Sequence, residues 1–378
     1  MIFDSPFRRK FGTNYAPSPQ EIYQIRQLLD EPKRQLWILE AEIARLQAQH
    51  EELKAFIDDH NALSSPIRRV PIDILREIFV HCLPEDSLPC RNLREAPLLL
   101  TGICQRWREV ATATPALWNR IHIALPFPEY PRNLTFFRSF MRMRAQGVEL
   151  WLGRAGSLPL TVSLWGAMPS EQGAQIHYEA SGLEEIGEIY VDFTRCLLSY
   201  SSRWGSLSLK VPSCILDFLG SHQFSQLDAL MEIRSLTGTR RLRNYTDDAT
   251  ITHPLANIFT RSSNSLRILH IDEAYFNLPV RWEKLTDVTL SEWNTCERLN
   301  AFKALHLLSL SCVSLRQCAV HIDLTASVTG DPPLAIAFPY LHKLHLIFTI
   351  SHRPNVEELS SQFALVFDTL SAPALSHL

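Results

Sequence analysis

The stretch SLRILHI, Ser265 to Ile271, sets aliphatic residues at Leu266, Leu269 and Ile271. The same spacing, L-x-x-L-x-L, returns in KLTDVTL (Leu285, Val288, Leu290), ALHLLSL (Leu305, Leu308, Leu310) and YLHKLHL (Leu341, Leu344, Leu346). ALSHL begins it again at Leu375 and reaches Leu378. RWGSLSL, with Trp204, Leu207 and Leu209, and QLDALME read as earlier, degraded copies. The last two apolar residues of the pattern alternate along a strand and share one face, and the first turns in just before it. One unit cannot bury its own apolar face, so copies stack. The leading leucines lie 19, 20, 36 and 34 residues apart (266, 285, 305, 341, 375), which implies long, unequal returns between strands.

Self-similarity of this kind predicts a leucine-rich-repeat-like α/β solenoid of irregular period over 126–378, set against an ordinary α/β domain with leucine-rich strands. A copy begins where the sequence stops, so either the natural chain continues or the last strand is held by other contacts. Helix-like stretches, Leu134 to Gln146 and Asp192 to Ser202, fall between the strands. His342 and His345 flank repeat leucines and are read as exposed strand residues or as part of a binding face. Two Arg-Trp pairs, Arg203-Trp204 and Arg281-Trp282, are read as binding residues or, for the tryptophans, as core.

Upstream the period changes. Residues 1–19 are polar, contain prolines and have no period, and read as a mobile tail. Over 20–61 apolar residues step by three and four. Ile22, Ile25 and Leu29 lead into Leu36, Leu39, Ile43, Leu46, Leu53 and Ile57, with His50 in register. This is a heptad seam with Leu36 at a and Leu39 at d, as in a coiled coil. Pro32 falls at d and is expected to kink or split the helix. The seam is read as a self-association surface or as one amphipathic helix packed on its own neighbour.

The 378 residues are enough for two or three domains. A net charge of -3 favours neither nucleic acid nor an anionic membrane. There is no signal-like N-terminus, and no apolar run approaches the roughly 20 residues of a membrane helix. The eight cysteines lie in apolar sequence and are expected as buried free thiols. A cytoplasmic or nuclear location is expected by elimination. No phosphate loop, dinucleotide fingerprint, nucleophile elbow or metal-ligand spacing occurs, so no enzyme, cofactor or metal is expected.

Between the heptad helix and the repeats, over 62–125, lie two short apolar helices. The first, in VPIDILREIFVHCLP, gathers Ile74, Leu75, Ile78, Phe79 and Cys82 on one side. The second, from Pro97 to about Ala111, puts Leu99, Ile103, Trp107 and Val110 on one face, with Gly102 suited to a close approach. So small a unit cannot cover this apolar surface alone, and docking on a partner completes the core.

These residues resemble an F-box. Val70-Pro71, Asp73-Ile74-Leu75 and Ile78-Phe79 look like its L-P-x-E-I-L-x-x-I-F opening. Ile103-Cys104-Gln105-Arg106-Trp107-Arg108 looks like its V-C-x-R-W-R centre, and Pro115-Ala116-Leu117-Trp118 like its P-x-L-W close. The order of heptad helix, F-box-like module and leucine-rich region is similar to a large fungal class of F-box-like proteins, as is GRAGSLPLTVSLW, Gly153 to Trp165. Val70 in place of the commoner leucine and a long loop from Pro84 to Glu95 depart from the pattern.

The resemblance implies a non-catalytic adaptor that docks on a Skp1-like protein, and through it on a cullin-RING ubiquitin ligase. The repeat region holds an unknown protein substrate. By matched position, Val70, Pro71, Ile74, Leu75, Ile78, Ile103 and Trp107 face Skp1, and Phe79 and Trp118 face it or belong to the module's core. The alternative is a Skp1-independent scaffold assembled through the heptad helix.

Overall fold

In a computed structural model the structure describes residues 5–127, 134–166, 180–235, 255–271, 278–290, 299–311, 313–324, 335–350 and 356–377. The chain divides into two compact units, 1–71 and 72–378.

The first unit is dominated by one helix, α1 (Pro19–Ser64). Its start is strongly specified. Ser18 and Glu21 form a reciprocal capping box, and Pro19 occupies the first turn. Glu21 also accepts from Lys10 Nζ at 2.9 Å and from the Tyr15 hydroxyl at 2.9 Å. Part of the expected tail is therefore folded back on the helix start, through a 3-10 turn at Arg8–Lys10. The expected break at Pro32 does not occur, and α1 runs through it. A proline removes one ladder bond. Ion pairs Glu31–Arg34 and Glu42–Arg45 support the turns around and beyond it. The remainder of the unit is a 3-10 turn, Pro66–Arg69.

The second unit opens with α2 (Ile72–His81), α3 (Leu98–Ile103) and α4 (Gln105–Thr112). Strands and helices then alternate: β1 (Arg120–Ala124), α5 (Leu134–Arg154), β2 (Leu160–Trp165), α6 (Ala180–Leu198), β3 (Trp204–Lys210), α7 (Ser213–Ser221), β4 (Glu232–Ser235), α8 (Ala256–Ser262) and β5 (Ile268–Ile271). There follow β6 (Asp287–Leu290), α9 (Ala301–Ser311), β7 (Gln317–Asp323), β8 (Ile336–Ala337), β9 (Lys343–Thr349), α10 (Val356–Thr369) and β10 (Leu370–Ser371). Eight strands make one parallel sheet in the order β1-β2-β3-β4-β5-β6-β7-β9, and β8 pairs with β10. Apart from β8, which lies outside it, the strands of this sheet are laid side by side in chain order.

The register explains the repeated spacing. Ile121, Val162, Leu207, Ile233, Leu269, Val288, Cys318 and Leu344 form one continuous row across the sheet, and all are buried. Three residues before them, Trp118, Trp204, Leu230, Leu266, Leu285, Leu315 and Leu341 form a second buried row. Only β2 departs: its register shifts at Leu160, which is buried instead. Helices α5 to α8 pack neighbour on neighbour, and Arg138 of α5 bridges Glu185, Glu188 and Asp192 of α6. After α5, Gly156 takes a left-handed φ of 58°, where a side chain is strained, and releases the chain into β2.

Several expectations are corrected. ALHLLSL is helical, within α9. The 3.6-residue period extends back to buried Ala301 and Ala304, and Asn300 Oδ1 accepts from the Lys303 amide at 2.8 Å at the helix start. The strand expected there is β7, whose Leu315, Cys318 and Val320 carry the spacing with a cysteine in place of leucine. QLDALME is not itself the strand; β4 begins near its end, at Glu232. The single helix expected over Pro97 to Ala111 is two, broken at an extended Cys104 (φ -157°, ψ 171°). A side-chain carbon at Gly102 meets nothing within 4 Å, so no close approach occurs there. Trp204 and Trp282 are core residues, and His345 is exposed.

The composition break near 125 does not separate two bodies, because β1 is already an edge strand of the sheet. Both sheet edges carry a further bridge. His122 N donates to Pro89 O at 2.8 Å beside β1, and Leu344 N donates to His377 O at 3.0 Å beside β9. Covering an edge in this way occupies groups that otherwise recruit foreign strands. The pairing of 376–377 is the register expected for a copy begun at Leu375, whereas Leu378 lies outside the described residues.

Candidate docking surface

Helix α2 has two apolar faces with different fates. Leu75 and Phe79, four residues apart, are fully buried. The helix packs on α4 and on the 3-10 turn Pro115–Leu117, and the Phe79 ring lies 4.8 Å from that of Trp107. Ile74 and Ile78, also four apart, are 54% and 39% exposed. Ile72 is exposed at the helix start, and the Asp73–Arg76 pair borders the outer surface.

Helix α3 contributes Leu99 and Ile103, the latter 55% exposed, while Leu100 turns inward. The break at Cys104 separates this outer face from Trp107 and Val110. Trp107 is half-buried and Val110 buried. Arg108 Nε donates to Thr101 O at 2.8 Å, satisfying a carbonyl near the end of α3. Both α2 and α3 pack on α4. The result is five exposed aliphatic side chains (Ile72, Ile74, Ile78, Leu99, Ile103) on two helices built over one small core.

The residues expected to face Skp1 therefore separate. Ile74, Ile78 and Ile103 stand outward and Trp107 is partly available. Leu75 is excluded, because a side chain with no exposed surface cannot touch a partner in this conformation. Phe79 and Trp118 are core residues. Trp118 Nε1 donates to Ala111 O at 2.8 Å, and its ring meets Trp151 of α5 edge-on at 5.0 Å. Half-buried Val70 and exposed Pro71 close the first unit. Ile72 was missed as a candidate, and Leu99, placed on the apolar face of the second helix, was not among the matched partner-facing positions; both are exposed.

The loop Pro84 to Glu95 has a structural role. It supplies the Pro89–Cys90 bridge to β1, and the Arg91 guanidinium donates to Arg144 O at 3.1 Å. The cysteines also depart from expectation: Cys82 and Cys104 are exposed, whereas Cys196 and Cys318 are buried, their thiols pushed up to about 12 by burial.

The sheet face opposite the buried rows is polar. His122, Ser163, Ser208, Arg234, His270, Thr289, Ala319 and His345 run across it in register. His122 Nδ1 and Ser163 Oγ are 3.0 Å apart, and Lys210 Nζ lies 5.2 Å from the centre of the half-exposed Trp165 ring. Burial first, then Arg234, hold the His270 imidazole below its ordinary range, against Glu232 and Asp287. His342 Nδ1 lies 3.3 Å from Ala374 O.

The six seam residues of α1 from Leu36 to Ile57 are 50–63% exposed, and no residue of the helix is buried. Within the first unit no element covers this seam. Among the described residues no helix is long and apolar enough to cross a membrane, and no group of three or more His, Cys, Asp or Glu residues is placed to hold a metal ion. No protein-family model and no curated protein matches the chain.

Proposed function

We propose that the chain is a substrate-recognition adaptor of a Skp1-cullin-F-box ubiquitin ligase. The observation that carries this reading is the outward aliphatic face of α2 and α3. Ile74, Ile78 and Ile103 occupy positions that resemble the partner-facing residues of an F-box, and each stands out from the core. Large aliphatic side chains on a supported surface suit a hot-spot interface. The chemistry then belongs to the ligase subunits, and this chain contributes proximity and orientation. The adaptor would act in the cytoplasm or nucleus.

The substrate region is read as an irregular leucine-rich-repeat-like solenoid. Support comes from strands laid down in chain order, from two continuous rows of buried residues, and from helices stacked as neighbours. Its polar face, with Trp165, Arg234 and His345, is the candidate surface for a protein substrate.

The test is capture of purified Skp1 by the full chain. Wild type binds, and Ile74→Asp/Ile78→Asp loses at least about thirtyfold in affinity, since even one such anchor costs about 2 kcal/mol. A folded wild type that does not bind Skp1 rejects the reading. It would leave the second one, a scaffold assembled through α1, which the exposed seam favours.

A further inference from the structure

We propose that α1 pairs with α1 of a second copy as a parallel, in-register two-stranded coiled coil from Leu36 to Ile57. The first argument is the period. Leu36, Leu39, Ile43, Leu46, His50, Leu53 and Ile57 step strictly by three and four. A helix laid on a globular surface carries a broader stripe of period 3.6, whereas a narrow seam of period 3.5 fits another helix. The second argument is burial: within its own unit the seam has no cover in a helix about 69 Å long, from 46 residues at 1.5 Å each.

The composition selects two strands. All three apolar d positions are leucine (Leu39, Leu46, Leu53), and two of the four a positions are isoleucine (Ile43, Ile57). Isoleucine at a with leucine at d favours a dimer.

The flanking charges permit the parallel orientation. In a parallel pair each g residue meets the e residue of the next heptad on the other helix. The contacts are Gln35 with Glu40, Glu42 with Gln47 and Gln49 with Lys54, so no like charges meet. In-register alignment also places His50 against His50. Any stagger sets it against an aliphatic residue, so this polar layer fixes register.

One antiparallel stagger, which opposes Leu46 with His50 and sets Glu40 beside Lys54, carries no charge repulsion and is disfavoured by the two polar His50 side chains set against aliphatic ones; two others are worse. Opposing Leu36 with Leu46 and Leu39 with Ile43 brings Glu40 beside Glu40 and Glu42 beside Glu42 at the centre of the seam. The next stagger sets His50 against Leu39 and Lys33 beside Lys54. Like charges at these positions repel.

Light scattering of the full chain at tens of micromolar tests the pairing. The expected mass is twice 43.3 kDa. Leu39→Lys/Leu46→Lys alters only exposed side chains and returns the single-chain mass, while His50→Leu lowers the dimer dissociation constant by about tenfold or more, since the added layer buries a leucine from each helix. Orientation is read from Leu39→Cys under mild oxidation. A disulfide-linked dimer forms beyond the wild-type background set by the native cysteines, because only the parallel register opposes residue 39 with itself. A monomer at all concentrations, or a dimer unchanged by Leu39→Lys/Leu46→Lys, overturns the pairing. A dimer without the engineered crosslink overturns its orientation. None of these outcomes depends on Skp1, so the adaptor reading and this one fail separately.

Discussion

Ile74 and Leu75 are adjacent and similar in size, yet one is half exposed and the other fully buried. On a helix, neighbouring residues point about 100° apart, and a small unit needs one of them for itself. Their substitutions should separate folding from docking. Leu75→Ala leaves a cavity and costs about 3 kcal/mol in denaturant unfolding. Ile74→Ala stays within about 0.5 kcal/mol of wild type, as surface changes do. If the two destabilise equally, Ile74 is a core residue and the outward face is wrong. Both lie in the same short apolar helix and carry the same apolar signal, so spacing alone could not assign them. The α-helical period placed them on one broad side, and only the position of α4 decides which edge of that side is covered.

At the scale of elements, strands that kept leucine, isoleucine or valine at all three positions were legible: β5, β6 and β9 follow their spacing directly. Failure came where six residues satisfied two periods. Leu305 and Leu308 fit a strand pattern and also lie three apart on a helix, and the deciding signal was upstream, in Ala301 and Ala304. Cys318 disguised β7 although it fills the leucine slot in the buried row. Helix α1 was legible because its period persists for many turns, whereas its start, the Ser18–Glu21 capping box, was not read from the sequence. That terminus is pH-sensitive. The Lys10 ammonium first, then the Ser18 amide and Tyr15 hydroxyl, lower the Glu21 carboxyl from its ordinary 4.5 to about 2. A carboxyl depressed in the folded state stabilises it above the unfolded value, and the contribution is lost as pH falls from 4.5 through about 2. Side-chain carbon NMR should give a Glu21 midpoint near 2, and Glu21→Gln should speed amide exchange in the first turn of α1 at neutral pH. A midpoint at 4.5 would remove the Lys10 and Ser18 contacts from the solution structure.

For the molecule as a whole, the sequence divides by character into modules, but the second unit divides by contact nowhere near residue 125. The helices α2 to α4 and the sheet share Trp118, which bonds back to Ala111 and packs against Trp151 of α5. Strand β1 pairs with β2 along five residues and with Pro89–Cys90 on its other side. A piece cut at the composition boundary therefore loses more than a linker. Residues 126–378 alone lack β1, so the backbone edge of β2 is unpaired and its buried Val162 and Leu164 lose Ile121 and Ile123 beside them. Residues 62–125 alone leave Trp118 without Trp151, in a unit too small to be stable by itself. Residues 72–378, in contrast, retain every contact of the second unit. Calorimetry should show 72–378 melting as one cooperative transition, while 126–378 melts broadly or aggregates through the bare edge of β2. If 126–378 instead gives a sharp transition at the same temperature as 72–378, the helical module and the sheet are separate folding units, and the docking face is carried on an independent domain.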